Sequence, residues 1–270
     1  MQVPAEESHA AFPSAPQAGL LLLALFLAEV FISAVLLALN GTLGLSDAAI
    51  GALGIVLANG LLLSAVLQLK GLSHRALLHP SRTSAAAVFW LLLPPLLLIT
   101  PALVFGTSWL IQGLQWLLPL SAWEESTFER MADSGLAMLI AVCVLAPVLE
   151  EMLFRGVMLR AFLLRYPRGL AIGASALIFG FAHLNVYQFV VGVVMGSVNG
   201  WLYERTRSLL PCITLHAAFN GLVTLLSTLD ADSAALADES AMAGMGAALS
   251  AGLLGAWWLW RLLGRRAAAG

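Results

Sequence analysis

Residues 18–39 read AGLLLLALFLAEVFISAVLLAL, an apolar run interrupted by a single ionisable side chain, Glu29. As a helix rising about 1.5 Å per residue, such a run crosses the ~30 Å hydrocarbon core of a bilayer. No Lys or Arg precedes it, and it is too long for the core of a signal peptide. It therefore reads as a retained membrane span. The rest of the chain agrees. Of 270 residues, 60% are hydrophobic and 10% charged, with a mean hydropathy of +0.92. Soluble domains carry roughly 25% charged residues, so too little polar surface exists here to coat a water-soluble globule. The net charge of −2 offers nothing to nucleic acid. Cys143 and Cys212 both lie inside apolar runs, which argues against a disulfide framework.

Eight spans are expected, at about 18–39, 48–69, 85–107, 135–163, 169–187, 188–204, 209–229 and 243–263. The fold class is all-α, a polytopic membrane protein of about eight transmembrane helices. Asn185, Tyr187 and Gln188 mark a turn between the fifth and sixth spans. Residues 1–17 carry Pro4, Pro13 and Pro16 and read as a disordered cytoplasmic tail. Between spans three and four, residues 108–120 hold Trp109 and Trp116 and suit the membrane interface. An acidic stretch with Glu124, Glu125, Glu129 and Asp133 follows. In the eight-span arrangement Lys70, Arg75, Arg82, Arg155, Arg160, Arg165, Arg168, Arg205, Arg207, Arg261, Arg265 and Arg266 fall on one side, and only Arg130 falls on the other. The positive-inside rule makes the basic side, with both termini, cytoplasmic. Glu124, Glu125, Glu129, Asp230, Asp232, Asp238 and Glu239 gather on the opposite side.

Ionisable groups inside a bilayer are costly and mark function by default. Three clusters qualify: Glu150-Glu151 with Arg155, Phe179 with His183, and His216 with Asn220. Successive helical residues point ~100° apart, so Glu150 and Glu151 cannot share a face. Glu151 precedes Arg155 by four residues, the favoured order for an ion pair, and this pair reads as structural support. Glu150 shares a face with Phe154 and is left for another partner. Phe179 and His183, and likewise His216 and Asn220, each project from one helical stripe. Glu150 lies seventeen residues before Pro167 and His183 sixteen after it, so an antiparallel hairpin sets them at one height. His216 is nearer its own turn at Arg207, so the hairpin of spans four and five must reach further into the cytoplasm for all three to meet. A carboxylate, two imidazoles and a carboxamide can perform hydrolysis. Glu150 can take a proton from water, with His183 orienting that water or sharing the base role. His216 and Asn220 can donate hydrogen bonds to a tetrahedral oxyanion.

The motifs E-E-x-x-x-R at Glu150, Glu151 and Arg155, F-x-x-x-H at Phe179 and His183, and H-x-x-x-N at His216 and Asn220 resemble those of the CPBP family. That family comprises the type II CAAX prenyl endopeptidases and the bacteriocin-processing, or Abi-type, intramembrane proteases. The resemblance covers roughly residues 135–230 and every motif position is matched. It implies an eight-helix α-fold, a site open to the cytoplasm, Glu150 and His183 activating water, and His216 and Asn220 holding the oxyanion. The expected organisation is a tail at 1–17, N-terminal helices and interfacial linker at 18–134, a CPBP-like catalytic core at 135–230, and a loop with a C-terminal helix at 231–270. The implied partners are a protein or peptide substrate and membrane lipids, and the implied location is a bacterial inner membrane. Residues before 130 match no pattern of the family, so substrate choice does not transfer.

Glu150, His183 and His216 also have the composition of a His₂Glu zinc site. A metal-free site is the expectation here, with zinc as the alternative. Asn220 beside His216 suits two donors on one oxyanion, no local H-E-x-x-H is present, and no second carboxylate is evident to orient a ligating imidazole unless Glu29 or Glu151 is recruited. A proton-coupled transporter or an inert immunity scaffold are the rival functions. The transporter reading lacks an internal repeat, and the intact motif positions weigh against an inert scaffold. Glu29 reads equally as a packing or a site-lining residue. Asn59, Gln112 and Asn199 read as interhelical glue, and Gly192, Gly196 and Gly200 as a close-packing stripe. Trp257, Trp258 and Trp260 with Arg261 read as an interfacial anchor. The charge segregation predicts that cysteines introduced at Ser73 and Ser126 label from opposite sides of the membrane; same-side labelling contradicts the eight-span topology.

Overall fold

The structure, a computed structural model, describes residues 12–81, 83–122, 124–125, 135–232 and 239–264. Most of the expected tail, and Arg82, Glu129, Arg130, Asp133, Asp238, Arg265 and Arg266, lie outside these residues. The described residues form eight principal helices and no strand: α1 Ala15–Ala38, α2 Asp47–Lys70, α3 Ala85–Leu117, α4 from Gly135 to Arg165, α5 Arg168–Phe181, α6 Val186–Thr206, α7 Leu210–Asp232 and α8 Glu239–Leu263. The chain is an all-α polytopic membrane protein. By length and hydropathy alone, four helices suffice to cross a membrane: α1, Ala49–Lys70 of α2, α3 and Leu210–Thr228 of α7. Helix α5, at 14 residues, is apolar but shorter than these.

Local chemistry sets the helix ends and corrects three expectations. Helix α1 begins at Ala15, inside the segment expected to be disordered. Pro16 is tolerated in a first turn, where its missing N–H has no intrahelical role, and the Gln17 side chain accepts from the Ser14 N–H at 2.8 Å. Helix α3 continues through residues 108–117 instead of giving way to a separate interfacial segment, because nothing breaks it before Pro119. Trp109 and Trp116 remain exposed on that extension. The turn between α5 and α6 falls at Ala182–Asn185, ahead of the expected boundary. Leu184 takes a left-handed backbone at φ 51°, and the Asn185 side chain caps α6 by accepting from the N–H groups of Tyr187 and Gln188. His183 therefore sits in a turn and not within a span.

Helix α4 is the axis of the molecule. It passes through two π-helical segments, Ala141–Leu145 and Glu151–Leu159, and every residue of the second is buried. Wide turns of this kind loosen backbone hydrogen bonding, and neighbouring helices take up carbonyls in both. The Asn220 amide of α7 donates to Val142 O at 2.9 Å, and the Ser175 hydroxyl of α5 donates to Phe154 O at 3.2 Å. Helices α2, α5 and α6 and the short helix His74–Leu78 pack around the second π segment. Helix α3 lies against α7 and α8. Helix α1 presents Leu20, Leu27, Val30 and Phe31 outward and packs on α2 through a stripe holding Ala18 and Leu25. Beyond α3, Glu124 ties the linker to the α5–α6 turn by accepting from the Asn185 amide at 3.0 Å, and the Tyr187 hydroxyl donates to Leu118 O. The Ser121 N–H and hydroxyl, also bonded to Glu124, hold that carboxyl below its ordinary range.

Helices α5 and α6 form an antiparallel pair, pinned at one end by Arg168 Nε to Glu204 Oε2 at 3.2 Å. Their interface depends on backbone contact. A Cβ on Gly196 would stand 2.8 Å from Ala176 Cα, and one on Gly180 would stand 2.8 Å from Phe189 O. Gly196→Ala should therefore force the helices apart, costing roughly 1–3 kcal/mol. Gly113→Ala, in open space on α3, should be neutral or slightly stabilising. Thermal unfolding in detergent checks the pair; equal midpoints for the two variants would contradict this packing.

Candidate active site

Glu151 is completely buried, and its Oε1 accepts three hydrogen bonds. Arg155 Nη1 lies at 3.0 Å, Asn199 Nδ2 at 2.9 Å and His216 Nδ1 at 2.9 Å. The donors come from α4, α6 and α7, so one oxygen atom joins three helices. The expected Glu151–Arg155 pair is present, and the guanidinium also stacks 4.2 Å from the Phe179 ring centroid. The carboxylate does more than support the fold, because it fixes the His216 ring. A carboxylate only accepts, so Nδ1 of His216 is protonated and Nε2 is turned away from Glu151.

Nε2 of His216 faces Glu150, whose Oε2 lies at 3.8 Å. Glu150 is the more open of the two neighbours, with its side chain 17% exposed against 0% for Glu151. Adjacent carboxylates on different helical faces thus reach one imidazole from its two nitrogens. Phe179 is the wedge of the site. Its ring meets Phe154 at 5.1 Å, His183 at 5.2 Å and His216 at 5.8 Å, each edge to face. His183 Nδ1 donates to the carbonyl of Phe179 at 3.0 Å, which leaves Nε2 of that ring as the free nitrogen. A Cβ on Gly192 would come within 3.6 Å of His183 Nδ1, so the glycine stripe also makes room for the imidazole.

Asn220 sits one turn along α7 from His216, but one of its amide hydrogens is committed to Val142 O, leaving the second for any oxyanion role. Glu29 lies part-buried in the middle of α1. Asn199 is the residue whose importance was missed. It does bridge helices, as interhelical glue should, yet its amide ends on Glu151 and not on backbone. The available signal was a lone carboxamide in the middle of an apolar helix.

Three comparisons bear on this geometry. Residues 132–222 match the model of the family described as type II CAAX prenyl endopeptidase Rce1-like. The resemblance expected from the three motifs is borne out over that segment. A Bacillus subtilis (strain 168) protein named "Putative membrane peptidase YdiL" is 28% identical over 89 residues, covering 33% of this chain and 36% of that protein. The aligned part spans about a third of the length of that relative. No solved structure matches the chain. The Rce1-like segment runs from the start of α4 to just past Asn220, and so contains Glu150, Glu151, Arg155, Phe179, His183, Asn199, His216 and Asn220. Glu29 lies outside it.

The donor chemistry of Glu150, His183 and His216 suits zinc, and Glu151 supplies the orienting carboxylate that the sequence did not make evident. The placement suits it less well: among the described residues no three His, Cys, Asp or Glu side chains are gathered closely enough to hold a metal ion. Glu151→Ala should strand Arg155 as an uncompensated buried charge, and Arg155→Ala should strand Glu151, each costing roughly 3–5 kcal/mol. Both should lower the thermal midpoint in detergent far more than Glu150→Ala, whose side chain has no such partner. Equal stability of all three variants would contradict the buried cluster.

Proposed function

We propose that the chain is an intramembrane endopeptidase that hydrolyses a peptide bond of a membrane-associated or lipidated protein or peptide. One observation carries this reading: a partly open carboxylate, Glu150, stands 3.8 Å from an imidazole nitrogen whose opposite side is locked by a second, buried carboxylate. Glu150 takes a proton from water as the oxygen attacks the scissile carbonyl carbon. His183 Nε2 orients that water. The resulting oxyanion is met by the second amide hydrogen of Asn220, beside the His216 ring that Glu151 holds in place. Collapse of the intermediate breaks the C–N bond, and the proton held by Glu150 passes to the departing amine. The products are a new carboxylate and a new amine. The Rce1-like match and the name of the Bacillus subtilis relative support a peptidase. The basic loops and both termini are assigned to the cytoplasmic side of the membrane on the charge segregation alone.

The mechanism operates without a metal. Purified protein in detergent, offered prenylated and unprenylated peptide libraries, should cleave a subset of them. Glu150→Gln and His183→Ala should each lower kcat at least about 100-fold with the fold intact. Exhaustive treatment with a zinc chelator should leave wild-type turnover unchanged. Stoichiometric zinc, with activity lost on chelation and restored by zinc, would transfer the reaction to a metal-dependent form. Turnover indifferent to both substitutions would overturn the assignment of the site.

A further inference from the structure

Asn199 is fully buried on α6 and bonds to residues of two other helices. Its amide donates to Glu151 Oε1 at 2.9 Å. Its backbone carbonyl accepts the Cys212 thiol at 3.3 Å, and Cys212 lies four residues before His216 on α7. Asn199 is thereby fastened to the helix that carries the carboxylate and to the helix that carries the imidazole. Arg155, the other side-chain donor to Glu151 besides His216, approaches from the carboxylate's own helix. A carboxylate held from its own helix alone can still swing about its side-chain torsions. A second donor from α6 removes that freedom and leaves Oε1 in line with Nδ1 of His216.

We infer that Asn199 is a positioning residue of the hydrolytic site: through Glu151 it keeps the Nδ1 proton of His216 engaged, and so keeps Nε2 turned to Glu150. This rests on the function proposed above. A residue of this kind never touches substrate. It decides which imidazole nitrogen faces the chemistry, a choice that carries a large share of activity wherever a carboxylate orients a catalytic histidine.

The experiment uses full-length protein in detergent micelles, labelled with ring-¹⁵N histidine, with the His216 signals assigned by their loss in His216→Gln. In the wild type Nδ1 of His216 should be protonated at neutral pH. In Asn199→Leu the ring should sample both nitrogens as proton carriers. In a peptide assay kcat should fall roughly 10- to 100-fold with KM within about twofold. In a Glu151→Gln background the same substitution should produce no further loss of kcat, because the residue acts through that carboxylate. Asn199→Ser is smaller, keeps a donor, and serves if the Leu variant does not fold; it should fall between wild type and Leu in both readouts. A His216 ring that keeps its Nδ1 proton unchanged in the folded variants overturns the inference, as does a kcat loss that merely follows the folded fraction. The spectroscopic arm needs no substrate. A tautomer shift in a protein that cleaves nothing leaves the positioning role standing and removes the peptidase reading. An unshifted tautomer with intact turnover does the reverse.

Discussion

The Glu151 carboxylate is the contact on which the rest of the polar interior depends. Moving an ion from water to a low-dielectric interior costs several kcal/mol even after relaxation. Here the cost is offset by Arg155, Asn199 and His216 on one oxygen, the guanidinium in turn lying over the Phe179 ring. Withdrawing Arg155 would leave Glu151 as an unpaired charge, and withdrawing Asn199 or His216 would remove the tie to α6 or to α7. The cluster therefore specifies the relative height and rotation of α4, α6 and α7 in a bundle whose remaining contacts are mostly apolar and tolerant of sliding. In a bilayer, where lipid competes equally for apolar helix surfaces, such polar contacts bear much of the burden of choosing one arrangement.

A second constraint acts on the backbone. Glu150 ends an ordinary helical segment, and Glu151 begins a π-helical one. The wide turns of α4 need outside partners, and they receive them from Asn220 and Ser175. The same side chain that resembles an oxyanion donor in the sequence thus also braces the helix that carries both glutamates. The glycines of α6 complete the frame. Gly196 brings α5 close enough for Ser175 and Phe179 to reach α4, and Gly192 leaves space beside His183. Packing and chemistry are therefore coupled, since widening the α5–α6 interface withdraws both the wedge and an imidazole.

The fold was largely legible in the sequence because membrane helices announce themselves by length and apolarity. All eight predicted segments correspond to helices. What periodicity could not show were local backbone choices: the entry of α1 at Ala15, the continuation of α3 through Trp116, and the turn at Ala182–Asn185 set by the Asn185 cap and the left-handed Leu184. The site was legible as a set of costly residues, and the pairing of Glu151 with Arg155 followed from spacing alone. The partners across helices did not. Spacing within one helix contains no information on whether His216 of α7 meets Glu150, Glu151 or both, and a mid-span Asn199 is compatible with any neighbouring helix. Those pairings are tertiary facts, decided by helix rotation.

The two adjacent glutamates show how one sequence motif supports the two chemical roles proposed for it. Helical geometry denies them a common face, and the structure turns this separation into a difference of environment. Glu151 is sealed among donors, with no room to exchange protons with water. Glu150, partly open and facing the His216 Nε2 across 3.8 Å, can reach solvent or substrate. A general base must both take up and release a proton within each turnover. A carboxylate already bound by three donors is poorly suited to that, while one facing a single imidazole nitrogen across 3.8 Å is free to do it. Assigning base chemistry to Glu150 and orientation to Glu151 follows from which of the two has an unengaged oxygen facing an opening, and the order of the residues in the chain matters only because it sends them to opposite sides of the same ring.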